Sequence, residues 1–362
     1  MIRFLARNKS FVSGFSVLVM FVAISLLPLQ KAKAQQNPSI KGRIQAILEE
    51  SKIAENSYYQ KLEVKLTNGE VVTVENDPQT SAKNIRYQRG NRVILTEIPD
   101  RDGTQTYIIT DFNRTPYLIT LFVVFSLLAV LIARKKGIYS LIGMAISFLV
   151  IFKLILPQIS AGRSPLLITI AASVFLIPTT FYLSHGFNKK THVAVVSTLI
   201  TLTITAIFTS ISISAAKLTG FASEEARFLQ IANQDVNVRG LLLAGIIIGF
   251  LGILDDVTIS QANVVLKLKE ADPMLGTLEL YKKAMEVGRD HIASMVNTLV
   301  LVYAGASLPL LLLFVDNPEP FAMVLNREII ADEVVRTLLG SMGLILAVPF
   351  TTVLTSLVAE SE

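Results

Sequence analysis

After residue 115 the chain is a succession of long apolar runs, at about 116–133, 138–156, 165–184, 192–216, 240–259, 292–315 and 336–358. Each is close to the roughly 20 residues that carry a helix across the hydrocarbon core, so the pattern predicts seven transmembrane helices. An earlier apolar stretch, 11–29, follows Arg3, Arg7 and Lys9 and precedes Ala32-Lys33-Ala34. That is the layout of a secretory signal peptide over 1–34, cleaved after Ala34; an N-terminal anchor is the alternative. The expected architecture is a mostly α polytopic helical bundle, with seven helices in the mature chain.

Residues 35–115 follow a different pattern. Residues 62–66 alternate apolar and charged side chains, and Asn68-Gly69 gives a type I′ hairpin turn into 71–74. Residues 92–96 and 106–110 bracket a second turn at 100–103, and a further strand runs over about 40–48. Residues 79–83 form a loop between strands. Five short strands in some 80 residues imply a small barrel-like β domain of OB or SH3 type. Three domains result: 1–34 signal peptide, 35–115 β domain and 116–362 transmembrane domain.

Composition agrees with membrane insertion: 52% of residues are hydrophobic, 17% are charged and the mean hydropathy is +0.55. The net charge of +5 needs no nucleic-acid partner, because the cations collect in alternate short loops. Taking 35–115 as extracytosolic, inner loops hold Arg134, Lys135, Lys136, Lys189, Lys190, Lys267, Lys269, Lys282, Lys283 and Arg289. Outer loops hold Arg163, Lys217, Arg227, Arg239, Arg327 and Arg336. Ten against six supports this orientation and an expected C-terminus on the cytoplasmic side of the plasma membrane. The β domain itself is balanced, with eleven basic and eleven acidic side chains and no basic patch interleaved with aromatics. Tyr58, Tyr59 and Tyr87 are read as packing residues. The absence of Cys excludes disulfides and thiol chemistry.

Candidate chemistry concentrates in three helices. Gly245, Gly249, Gly252, Asp256, Ser260 and Asn263 recur at helical spacing and share one face. The glycines are read as a helix-packing face. Asp256 then points into the protein from within the membrane, while Asp255 falls off that face towards Ile248, Leu251 and Ile259. Residues 288–310 carry Asp290, His291, Ser294, Asn297 and Thr298 as one patch near the inner end, level with Asp256. Thr198, Thr201, Thr205, Thr209 and Ser212 make a hydroxyl stripe on the fourth helix, and Thr169, Ser173, Thr180 and Ser184 a second on the third. Segments 277–287, 223–235 and 331–336 are expected as separate short helices beside the membrane.

No catalytic, phosphate-binding or metal-ligand signature is present, so neither an enzyme nor a cofactor is expected. The glycine–aspartate context at 249–256 is similar to that of intramembrane aspartyl proteases, but the glycine is not adjacent to the aspartate and a second membrane aspartate is lacking.

The run Gly249-Phe-Leu-Gly-Ile-Leu-Asp-Asp-Val257, residues 288–310 with Asn297-Thr298-Leu299 and Gly305-Ala-Ser-Leu-Pro309, and Phe187-Asn-Lys-Lys-Thr191 resemble the YibE/F-like family of bacterial multi-pass membrane proteins. The resemblance covers about 115–358. It implies this topology and this placement of motifs, and it supplies no reaction. The reading that follows is movement of an ion or small solute at a site of Asp256, Asn297, Ser260, Ser294, Thr298 and His291. The competing reading is a non-transporting scaffold that binds a protein partner through its extracytosolic domain. Besides the lipid bilayer, the sequence fixes neither partner nor oligomeric state.

Overall fold

The computed structural model describes residues 39–54, 57–77, 85–99, 105–315 and 319–360. The segment expected as a signal peptide, the expected 79–83 loop and the expected 100–103 turn lie outside them. Two compact units divide the chain at 132/133, and each is described by itself.

The first unit holds β1 (Ser39–Ala54), β2 (Ser57–Leu66), β3 (Val71–Asn76), β4 (Arg92–Pro99) and β5 (Gln105–Phe112), in the antiparallel order β3-β2-β1-β4-β5. β3 and β5 approach one another without a hydrogen-bonded ladder, which leaves a half-barrel. The alternation of β2 puts Leu62, Val64 and Leu66 inside with Ile44, Val74, Tyr87, Val93 and Leu95. Register shifts along β1 at Ile44/Ala46 and Ile47/Glu49 let one strand serve both neighbours. Gly42 is required where β1 curls: a Cβ there would lie 2.6 Å from Val64 Cγ1 and 2.8 Å from Leu95 Cδ1.

The β2–β3 turn differs from the expected type I′. Gly69 N–H donates to Leu66 O (3.1 Å) and Gly69 alone has positive φ, at +93°. This is a turn over 66–69 followed by a bulge at the glycine, because Asn68 does not take the positive φ that a type I′ turn requires. Gln60 is fully buried. Its Nε2 donates to Tyr87 O (2.9 Å) and its Oε1 accepts from Tyr87 N–H (2.8 Å), which fixes the 85–91 segment across β2. α1 (Thr115–Ala133) completes this unit.

The second unit is helical: α2 (Lys135–Ser160), α3 (Pro165–His185), α4 (Lys189–Ala215), α5 (Glu224–Ala232), α6 (Val238–Ala271), α7 (Thr277–Ala306), α8 (Leu308–Val315), α9 (Phe321–Leu325) and α10 (Glu328–Glu360). A single π turn, Ile151–Ile155, interrupts α2. Among the described residues, six helices (α1, α2, α3, α4, α6 and α10) are long and apolar enough to cross a membrane. The sixth apolar run, 292–315, is divided between α7 and α8 at Ser307, two residues before Pro309. Proline cannot accept a continuing helix without losing a backbone bond.

Two expected surface helices are instead parts of long ones. Residues 277–287 run without a break into the sixth apolar run, and Leu280 and Ala284 pack on Val265, Leu275 and Ala359. Gly288 does not interrupt α7, because its missing side chain lets Val348 and Gln261 approach: a Cβ would be 2.6 Å from Val348 Cγ1. Residues 331–336 are the first turns of α10. The short helix at 223–235 is present as α5, capped by Ser223 Oγ, which accepts from Ala226 N–H. α6 continues to Ala271 and stops before Pro273 as expected, with Lys269 Nζ closing the loop onto Pro273 O and Leu275 O (2.8 Å each).

α4, α6 and α10 pack on one another, α3 lies against α4 and α6, α2 covers α3, and α7 lies along α10 and α6. Their core holds Leu202, Ala206, Ile247, Phe250, Leu254 and Leu344.

Candidate functional site

The centre of the bundle is polar. The α4 stripe faces inward, with Thr198, Thr201, Thr205 and Thr209 all buried. It meets a second stripe on α10, made by Ser341, Thr351, Thr352, Thr355 and Ser356, which are also buried. Thr198 Oγ1 lies 2.9 Å from Thr258 Oγ1 of α6. One turn on, Gln261 Nε2 donates both to Ala284 O of α7 (3.0 Å) and to Thr352 Oγ1 of α10 (2.8 Å). Most of these hydroxyls return a bond to their own helix, as Thr352 Oγ1 does to Val348 O (2.7 Å). Four do not: Thr201 Oγ1, Thr205 Oγ1, Thr351 Oγ1 and Ser356 Oγ are buried with no partner among the described residues.

α4 and α10 come close because Gly343 has no side chain. A Cβ there would sit 2.1 Å from Phe250 Cζ and 2.7 Å from Thr205 Oγ1. The α10 stripe was readable in principle, since Thr351/Thr355 and Thr352/Ser356 recur at four-residue spacing. It sits in a window whose apolar content dominates the pattern.

One end of the bundle gathers lysines, with Lys136 and Lys267 within electrostatic reach of Lys190. Here α3 ends at His185, turned by Gly186 at φ +78°. α4 begins beyond Asn188, whose Oδ1 accepts from Thr191 N–H (2.9 Å). Tyr182 Oη is 2.6 Å from His192 Nδ1, and its ring stacks on Phe187 at 4.4 Å. His185 Nε2 lies 4.0 Å from Asp255 Oδ1, and that oxygen is sealed from solvent with no hydrogen bond.

The two aspartates are therefore oriented opposite to expectation: Asp255 is half-buried and Asp256 is exposed. The cause is the neighbour of α6. Ile248 and Leu251 pack against the α3 cluster of Ala172, Phe175 and Leu176, and Asp255 continues that stripe towards His185. Asp256, about 100° further round the helix, keeps to the glycine face. No helix among the described residues fills that face: a Cβ on Gly245 or Gly252 would meet nothing within 4 Å, and one on Gly249 only Tyr303 Oη at 3.8 Å. Close helix approach is made by Gly343 and Gly288 instead.

On α7, Ser294, Asn297 and Thr298 are exposed, and Thr298 Oγ1 donates to Ser294 O (2.9 Å). Ser260 and His291 are half-buried. The crossings Gly249–Tyr303 and Gln261–Ala284 fix α6 and α7 antiparallel. The imidazole beside the aspartate pair is that of His185, and no ion pair joins Asp256 to His291 among the described residues. An imidazole and a carboxyl 4.0 Å apart are beyond direct hydrogen bonding but close enough to interact electrostatically. No group of three or more His, Asp or Glu able to hold a metal is found among the described residues.

No curated protein and no solved structure matches the chain. The family model described as YibE/F-like protein matches residues 121–361, which include every helix of this core, and the chain belongs to that family.

Proposed function

We propose that the protein moves an ion or small polar solute across a bacterial plasma membrane, with 35–115 outside and the C-terminus in the cytoplasm. The observation that carries this reading is the set of four hydroxyls without a partner among the described residues, Thr201 and Thr205 buried on α4 and Thr351 and Ser356 buried on α10. A buried polar group without a partner costs about 1–3 kcal/mol, and a dry helix contact would lose nothing by carrying valine there. Hydroxyls facing one another across helices suit a path that water or solute enters. The lysine end supplies the charged entrance: Asp255 with His185, and Asp256 on the open face with Ser260, level with Ser294, Asn297, Thr298 and His291 of α7.

The test is ion and proton flux in sealed proteoliposomes, comparing the parent protein with Asp255→Asn, Asp256→Asn and Thr205→Val/Thr351→Val. Flux above protein-free liposomes that falls about tenfold or more in folded variants supports the reading, as expected where a membrane-embedded polar group is functional. Parent flux no higher than that of protein-free liposomes, across several ions and a pH gradient, removes the ion reading.

The scaffold reading is favoured by one feature. Ile47, Leu48 and Ile53 are exposed along β1, in a unit with a well-formed core of its own. A pull-down dependent on those side chains, without flux, would decide for it.

A further inference from the structure

The opposite end of the bundle contains a second polar feature, independent of the hydroxyl core. The loop after α4 is clamped by Glu328, whose carboxylate accepts from Thr219 N–H, Thr219 Oγ1 (2.7 Å) and Gly220 N–H (3.0 Å). Gly220, at φ +84°, lies against the start of α6, where a Cβ would be 2.8 Å from Val238 O. Between this loop, α5, α6 and the first turns of α10 lies a cavity of about 220 Å³.

Asp332 lines that cavity. It is 6% exposed, and its Oδ1 is sealed with no hydrogen-bond partner among the described residues. The neighbouring charges are engaged only in part, since Arg336 Nε is itself buried without a hydrogen-bond partner among the described residues. Glu328 holds the loop, and Glu333 Oε1 lies 3.3 Å from Arg336 Nη1. Of the charged lining side chains, Asp332 and Glu333 stand against Arg336, so one negative charge is left over, on Asp332. A carboxylate this buried is compensated by a donor or a cation. The rest of the wall is mainly apolar: Val238, Leu241, Leu242, Ile329, Ala222 and Ala226. A metal ion would need several oxygens in its shell, whereas an ammonium group satisfies one carboxylate by donated hydrogen bonds and leaves an alkyl part for the apolar wall.

We infer that this cavity is a binding site for a small organic monocation, an alkylammonium group held by Asp332 with its chain against α6. The inference concerns binding at equilibrium and does not rest on transport.

The test is calorimetric titration of the full-length protein in nanodiscs with n-butylammonium chloride at constant ionic strength. Two variants separate the site from folding. Asp332→Asn removes the charge. Gly245→Leu fills the cavity, because Gly245 lines it and a Cβ there meets nothing within 4 Å. The expected result is saturable one-site binding that weakens about tenfold or more, as for the loss of a charge-assisted contact, in either variant when monodisperse. Glu270→Gln, at the other end of α6, leaves it unchanged. Absence of saturable binding overturns the proposal, as does equal affinity in Asp332→Asn and Gly245→Leu. Equal competition by sodium or potassium overturns the organic class.

Discussion

Gly343→Ala is the sharpest test of the packing described here. The added Cβ would lie 2.1 and 2.4 Å from two atoms of the Phe250 ring and 2.7 Å from Thr205 Oγ1. Phe250 is 1% exposed, enclosed by the same core as Leu254 and Leu344, and has nowhere to swing. Overpacking of this kind costs about 1–3 kcal/mol, and contacts this short belong at the upper end. Against it, replacing glycine by alanine inside a helix gains about 1 kcal/mol. The expected net effect is a loss of about 2 kcal/mol. Gly252→Ala supplies the contrast. It has the same chemistry, inside α6, with nothing within 4 Å of the new methyl, so only the gain of about 1 kcal/mol remains. Equilibrium unfolding in mixed micelles reads both. Phe250→Leu in the Gly343→Ala background should recover about 1 kcal/mol or more relative to additivity. A Gly343→Ala protein as stable as its parent, or zero coupling to Phe250, would refute the close α4–α6–α10 contact.

Four further outcomes are expected. Thr205→Val should leave stability unchanged or raise it by about 1 kcal/mol, because the lost hydroxyl had no partner, while lowering flux. Gln261→Leu should destabilise the bundle by about 1–3 kcal/mol in the same unfolding assay, since two buried bonds between three helices go with the amide. Gly220→Ala should be worse tolerated than Gly69→Ala in an expression and thermal-melt comparison: both glycines have positive φ, but only Gly220 has backbone within 3 Å of the new methyl. In the β unit, the Arg86 guanidinium holds the Glu50 carboxyl below its ordinary range. A depressed carboxyl contributes stability above its unfolded pKa of about 4.3 and loses it as pH falls through the lower folded value. Glu50→Gln should therefore flatten only the acid limb of a stability–pH profile, with no change near neutrality in that slope.

The membrane helices and strands were legible because each rests on a local period: about 20 apolar residues for a span, and alternation for β2 and β4. Helix boundaries were less so. Nothing between Val287 and Ile292 marks continuity, and only packing on Val348 explains why Gly288 does not end α7. The choice between Asp255 and Asp256 was beyond the sequence for a similar reason. Adjacent residues differ by about 100° around a helix, and which side is inner depends on where α3 lies. The glycine face looked like a contact surface because small residues permit close approach, yet permission is not occupancy. The α10 hydroxyls were visible as letters but not as a stripe, since their face gains meaning only opposite Thr198 and Gln261.

Pro349 sits inside α10. It has no N–H to give the carbonyl of Ile345, so the helix is missing one rung of its ladder midway along the element that touches α4, α6 and α7. Bending stiffness is lowest where a rung is absent. Mechanical load on α10 is thus concentrated at a point between Gly343 and Thr351, and the two halves of the helix can tilt against each other at a level that separates Ser341 from the other four hydroxyls of its polar stripe.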